Sequence, residues 1–109
     1  MKTIEIITIR VTDQQKAKEF YLKLGFDLIV EAPMGNGQTW IQLGFPNQTT
    51  YISLLNAHGI MIETDNIEME VQTLQALGVE PGKIEDTPWG KFIHLKDPDG
   101  NDLSFHQKK

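Results

Sequence analysis

Apolar and polar side chains alternate along residues 7–11, where Thr8 and Arg10 separate Ile7, Ile9 and Val11. That period of two predicts a strand buried on one face, running over residues 3–11. The period then changes. Asp13 stands where a helix N-cap is expected, and Ala17, Phe20, Tyr21 and Leu24 follow at the spacing of one helical face. Gly25 sits where helices end. Residues 26–31 read as a second strand, 32–38 as a loop with two glycines, and 39–45 and 50–56 as two more strands.

The same order then returns. Ile60 and Ile62 mark a strand over 59–64, and Asp65 or Asn66 caps a helix whose buried face is Ile67, Val71, Leu74 and Leu77. Gly78 ends that helix, Val79 begins a short strand, and 81–90 is a turn-rich loop carrying Trp89. A strand leads into Asp97-Pro98-Asp99-Gly100-Asn101, a tight turn, after which Leu103 and Phe105 alternate with Asp102, Ser104 and His106. Asp13…Gly25 falls on Asn66…Gly78, Pro46 on Pro98, and 51–55 on 102–106. The chain is thus a duplicated β-α-β-β-β unit: one domain, 1–109, of two modules, 1–56 and 57–109. The expected class is α+β, with a curved mixed sheet, helices on one face and a cleft on the other.

Alternation also assigns sides to the side chains. Ile7, Ile9, Val11, Ile41, Leu43, Ile52, Leu54, Ile60, Ile62, Ile93, Leu95, Leu103 and Phe105 are expected under the helices. The opposite face is expected to carry Ile4, Ile6, Thr8, Arg10, Trp40, Gln42, Tyr51, Ser53, Leu55, Gly59, Met61, Glu63, Phe92, His94, Ser104 and His106. An apolar lining with a few polar groups is the character of a small-molecule site, though a dimer interface has it too.

Composition narrows the functions. There is no cysteine, which excludes disulfides, thiolate metal sites and thiol catalysis. With 15 acidic against 10 basic residues and no basic stripe, nucleic acid is not an expected partner. Glu5 and Arg10 interrupt the apolar residues near the N-terminus, so neither a signal peptide nor a membrane span is expected, and the expected location is cytoplasmic. His94 and His106, with Glu63, are candidates for acid–base work near neutral pH. His58 reads as a turn residue. Asp97, Asp99 and Asn101 are better explained by the turn than by a calcium loop, whose later ligands are missing.

Three stretches carry a resemblance: VTDQQKAKEFYLKLGF (11–26), ETDNIEMEVQTLQALGV (63–79) and WGKFIHLKDPDGNDLSF (89–105). In this order and spacing the chain resembles the vicinal oxygen chelate superfamily, which holds glyoxalase I, extradiol dioxygenases and bleomycin-resistance proteins. The resemblance implies paired βαβββ modules, a funnel-shaped cleft and a homodimer. It also implies, for the enzymes, a divalent metal held by His or Glu at four strand positions. Carried onto this chain by motif, those positions are Ile6, Ser53, Gly59 and Ser104, none of them an imidazole or a carboxylate. The chain therefore resembles the metal-free branch, whose bleomycin-resistance proteins bind a drug without chemistry.

The expected function is metal-independent binding of a small organic ligand, an antibiotic or other xenobiotic, with no cofactor and a role in resistance. The alternative is a glyoxalase-like lyase or isomerase, or a dioxygenase. The expected ligand set is Arg10, Trp40, Gln42, Tyr51, Ser53, Met61, Glu63, Phe92, Ser104 and His106. Trp40, Tyr51 and Phe92 stack on a flat ligand or fill an interface; Glu63 meets a cationic ligand or pairs with Arg10; Trp89 is a lid or a loop anchor.

Overall fold

The computed structural model describes residues 2–109. Its elements are β1 (Thr3–Arg10), α1 (Gln14–Lys23), β2 (Asp27–Gly35), β3 (Gln38–Gly44), β4 (Tyr51–Leu55), β5 (Gly59–Glu63), α2 (Ile67–Ala76), β6 (Glu85–Thr87), β7 (Gly90–Lys96) and β8 (Asp102–Lys108). The β-α-β-β-β order therefore occurs twice, in an α+β chain. The chain forms two compact units: Ile6–His58, and the leading residues through Glu5 together with Gly59–Lys109. Strand β1 is divided between them. The strand order is β2-β3-β4-β1 in the first module and β5-β8-β7-β6 in the second. Each mixes one parallel pair (β1 with β4, β5 with β8) with antiparallel neighbours.

Both helices obey the same local rules. The side chains of Asp13 and Asn66 accept from the backbone N–H three residues on, at Lys16 and Met69. Asn66 is thus the cap of α2, one residue past the point where Glu68 would complete a capping box. Each helix closes with a glycine at positive φ, Gly25 at 105° and Gly78 at 80°. Phe26 N–H donates to Tyr21 O and Gly25 N–H to Leu22 O, and Val79 and Gly78 donate likewise to Leu74 O and Gln75 O. These are paired Schellman closures.

The helices pack on one face of their strands. In the first module Ile41, Leu43 and Leu54 are fully buried beneath Ala17 and Tyr21, with Ile9, Val11, Phe26 and Ile52 around them. In the second, Ile67, Ile93 and Phe105 hold the centre, with Ile62, Val71, Leu74, Ile84 and Leu95 around them. Phe20, Leu24 and Leu77, expected on buried helix faces, are exposed. They lie at the margins of stripes that these short helices press down only at Ala17–Tyr21 and Ile67–Val71–Leu74. Ile7 and Ile60, expected beneath the helices, are also partly exposed.

Two loops hold more structure than expected. Residues 32–35 continue β2, and the chain reverses over Asn36-Gly37, with Gly35 opposite Gln38. Both turn residues have positive φ, 54° and 74°. This is the backbone of a tight hairpin whose twist matches its strands, for which Asn-Gly is the preferred pair. Pro33 is tolerated because β2 ends the strand order of its module. Within 81–90, β6 forms a second hairpin, with Thr87 opposite Gly90 across Pro88-Trp89, whereas Val79 is not in a strand. The Asp97 turn is as expected: its carboxylate accepts from the backbone of Asp99 and Asn101 and from the Asn101 amide. No helix among the described residues is long and apolar enough to cross a membrane.

Candidate functional site

The face away from the helices is built in rows across adjacent strands. In the first module Thr8, Ser53 and Gln42 stand side by side on β1, β4 and β3. Ser53 is fully buried, and its hydroxyl lies 2.8 Å from the Thr8 hydroxyl. Two residues along β3, the Trp40 indole N–H donates to Gln42 Oε1 at 3.0 Å. That bond fixes the ring plane and leaves the Gln42 amide nitrogen as a donor. Tyr51, two residues before Ser53, lays its ring over Gly44, where a β-carbon would run into it. The sequence order of small and aromatic residues therefore sets the aromatic wall. At the end of β1, Arg10 Nε donates to Asn56 Oδ1 at 3.3 Å.

The second module carries Met61, Ser104 and His94 in the matching row of β5, β8 and β7. His94 Nδ1 lies 2.8 Å from the buried Ser104 hydroxyl, and its Nε2 lies 3.7 Å from Glu85 Oε1. The His94 ring is otherwise open to solvent. The next row is Glu63, His106 and Phe92. The Phe92 ring lies nearly parallel to two imidazoles, with its centroid 4.2 Å from that of His106 and 6.0 Å from that of His94, at interplanar angles of 3° and 8°. Glu63 is paired with Lys108 at 3.5 Å.

His106 is buried, 7% exposed, and both of its ring nitrogens are engaged. Nδ1 lies 2.9 Å from Glu5 Oε1, and Nε2 lies 3.0 Å from the Trp89 carbonyl oxygen. Burial alone would push its pKa down. The Glu5 carboxylate, the Trp89 carbonyl and the more distant charge of Glu63 outweigh that, and the pKa is raised above its ordinary value. His106 thus has no free nitrogen for a ligand. Glu5 was not among the residues singled out from sequence. The signal was a carboxylate in the alternating series with Ile7 and Ile9, on the side expected to be apolar. Glu85 is likewise an addition that strand register supplies, set beside Phe92 on β7.

The side chains at the four metal positions of the resemblance do not suit a divalent ion. Ile6 is a buried hydrocarbon. The Ser53 and Ser104 hydroxyls are already shared with Thr8 and His94. Gly59 has no side chain, and a β-carbon there would stand 2.7 Å from the Asp102 carbonyl oxygen. With no imidazole or carboxylate at any of the four positions, neutral hydroxyls alone are poor ligands for such a metal. Among the described residues, no three His, Asp or Glu side chains gather into a metal-holding group.

Residues 3–105 match the family described as the glyoxalase/bleomycin resistance protein/dioxygenase superfamily. The chain belongs to that superfamily. A curated relative, the uncharacterized protein YetH of Bacillus subtilis (strain 168), is 31% identical over 113 residues, covering 93% of this chain and 94% of its own. Methylmalonyl-CoA epimerase from Mycobacterium tuberculosis superposes with a TM-score of 0.80 at 15% identity, over 97% of this chain and 87% of the epimerase, a likeness of fold. TnmS3, an antibiotic binding protein from Streptomyces sp. CB03234, is 30% identical over 98% of this chain and 96% of its own, with a TM-score of 0.47. That last likeness is one of sequence and not of superposed coordinates. Superfamily membership settles the scaffold and leaves the chemistry to the side chains on it.

Proposed function

We propose that this member of the superfamily binds a small organic ligand, an antibiotic or xenobiotic, in the cytoplasm without a metal or other cofactor. The observation that carries the reading is the donor set at Ile6, Ser53, Gly59 and Ser104, which offers a metal two shared hydroxyls and nothing else. Within each unit the open face suits an organic ligand: beside Ser53, Trp40 and Tyr51 supply flat apolar surface and Gln42 a polar anchor, and beside Ser104, Phe92 supplies a flat surface and Met61 an adaptable one. Arg10 and Glu63, already partnered by Asn56 and Lys108, lie where they can exchange those partners for a charged group on the ligand. In this reading Phe92 meets the ligand, while His106 supports the Phe92 ring from behind.

We also place the protein as a homodimer. What supports this is apolar surface on β2, where Leu28, Ile29, Val30 and Met34 are all exposed on the strand that ends its module's order. Sedimentation of the purified protein measures that mass directly, and a monomer at all concentrations removes the dimer.

The test of function has two arms. Zn, Ni, Co, Mn and Fe(II) are titrated into the purified protein, and no stoichiometric tight binding is expected. A panel of flat aromatic antibiotics, cationic and neutral, is then screened by tryptophan fluorescence. W40A/Y51A should weaken any hit by about 100-fold, since each stacked ring supplies roughly 1.5 kcal/mol of binding. Tight metal uptake, or unchanged affinity in a folded double variant, would overturn the reading.

One observation favours a second reading. His94 is an exposed imidazole held by Ser104 and near Glu85, an arrangement able to take and return a proton. Under it the protein is a glyoxalase-like lyase or isomerase acting by proton transfer. Turnover of 2-oxoaldehyde thioadducts that His94→Ala abolishes would put this reading first.

A further inference from the structure

A neutral imidazole has one N–H and one bare lone pair. The two nitrogens of His106 face two oxygens, Glu5 Oε1 at 2.9 Å and Trp89 O at 3.0 Å. A backbone carbonyl has no proton to give. Each link therefore needs its own proton, and a neutral ring beside a carboxylate has one for the two. The observed arrangement fits an imidazole protonated at both nitrogens, one proton more than the neutral ring holds. Both residues are buried, 7% exposed each, with the Phe92 ring lying flat on the imidazole. Water has little access to mend a broken link.

The three groups come from separate parts of the second unit. Glu5 lies on its leading residues, His106 on β8, and Trp89 at the tip of the β6–β7 hairpin. We propose that His106 is a proton-dependent clamp that holds the Trp89 turn and the leading strand onto β8, and that loss of its extra proton releases the turn. The remaining proton stays in the link to Glu5, because a bond to a carboxylate is stronger than one to a neutral carbonyl. Nε2 is then a lone pair facing the Trp89 carbonyl oxygen, and the two repel.

The turn is shaped to depend on that contact. Gly90 has φ +128°, and a β-carbon there would run into Gln107 O on β8, so the hairpin sits directly on the strand that carries the clamp. Its own bonds are few: Thr87 Oγ1 donates to Gly90 O at 2.8 Å and accepts from Trp89 N–H at 3.2 Å. The Trp89 side chain is 75% exposed, so release of the turn moves an aromatic surface already presented to solvent.

The charged groups facing the ring favour its protonated form. Glu5 reaches it from β1, and Glu63 lies beside it on β5 with Lys108 as its own partner. From β7 the Phe92 ring is uncharged, and Lys91 is taken up by Glu68. The raised pKa agrees with this geometry. The clamp is complete below the ordinary histidine value of 6.5 and is lost as pH rises through the higher folded-state value.

The experiment is a titration of the whole protein from about pH 5.5 to about pH 9, the range that spans histidine ionisation. The His106 ring nitrogens and the Trp89 amide and indole are followed by 15N NMR. Both ring nitrogens should be protonated at the acid end, and the Nε2 proton should leave in the same step that shifts Trp89 and speeds its amide exchange. Glu5→Gln supplies a permanent N–H to Nδ1, so a neutral ring satisfies both links; the step should vanish with the turn still closed at high pH. A folded wild-type protein with one protonated ring nitrogen at pH 6, or a Trp89 indifferent to the step, would overturn the clamp. So would the same step persisting in folded Glu5→Gln. The wild-type arms decide the matter even if the variant does not fold.

Discussion

The two modules close equivalent hairpins in different ways. Between β2 and β3 the chain reverses over Asn36-Gly37, both at positive φ, and a β-carbon at Gly37 would meet nothing within 4 Å. That turn is held by its own backbone preference. Between β6 and β7 it reverses over Pro88-Trp89, and the strain passes to Gly90, pressed against β8 under the bond that Trp89 O accepts from His106 Nε2. One turn is made by local chemistry, the other by what it touches. A duplicated scaffold thus leaves one copy free to become a plain connection and the other to become a contact.

The rows beneath repeat the lesson. Ser53 and Ser104 occupy matching places, and each is buried. Ser53 is flanked by Thr8 and Gln42, Ser104 by Met61 and His94. The first row is a neutral hydrogen-bonding shelf beside Trp40 and Tyr51. The second carries a titratable ring beside Phe92. The shared scaffold is the position of the serine; the chemistry is in its neighbours.

Three pairs of substitutions test how deep this difference runs. The largest effect belongs to what the modules share. Leu54→Ala and Ile93→Ala empty fully buried sites and should each cost about 2–5 kcal/mol in urea unfolding. Unequal losses beyond that range would show that the two cores are not equivalent. Next comes the hairpin pair. Gly90→Ala should cost about 3 kcal/mol, from backbone strain and the collision with β8, against about 1 kcal/mol for Gly37→Ala, which meets no neighbour. Equal costs would erase the contrast between the turns. The smallest is the serine pair. Ser53→Ala leaves Thr8 without its partner in a buried row and should cost about 1–2 kcal/mol. Ser104→Ala should cost less than about 1 kcal/mol, because the exposed His94 ring regains a water. A larger loss at Ser104 would mean the His94 contact is structural.

Much of the fold was legible from residue spacing. Asp13, Asn66, Gly25 and Gly78 mark both helices by local capping chemistry that needs no distant partner. The Asp97 turn is local in the same way. Alternation placed Ile41, Leu43, Leu54, Ile93 and Phe105 under the helices because a strand with one buried face has no other way to hide them. The Asn36-Gly37 hairpin was legible too, and was missed because the glycines around it read as loop. Phe20 and Leu24 misled, since helical spacing says which residues share a face and not how much of that face a short helix presses down.

What the chain by itself determined is the duplicated α+β scaffold, its superfamily, and the want of a metal-binding side chain at Ile6, Ser53, Gly59 and Ser104. These follow from residue type and from contacts a few positions apart. Only the tertiary structure decided which polar groups meet. Strand register set Thr8 against Ser53 and His94 against Ser104, and folding brought Glu5 to His106 across 101 positions of sequence. Spacing along the chain carries no information about such pairs, because they depend on which strands become neighbours.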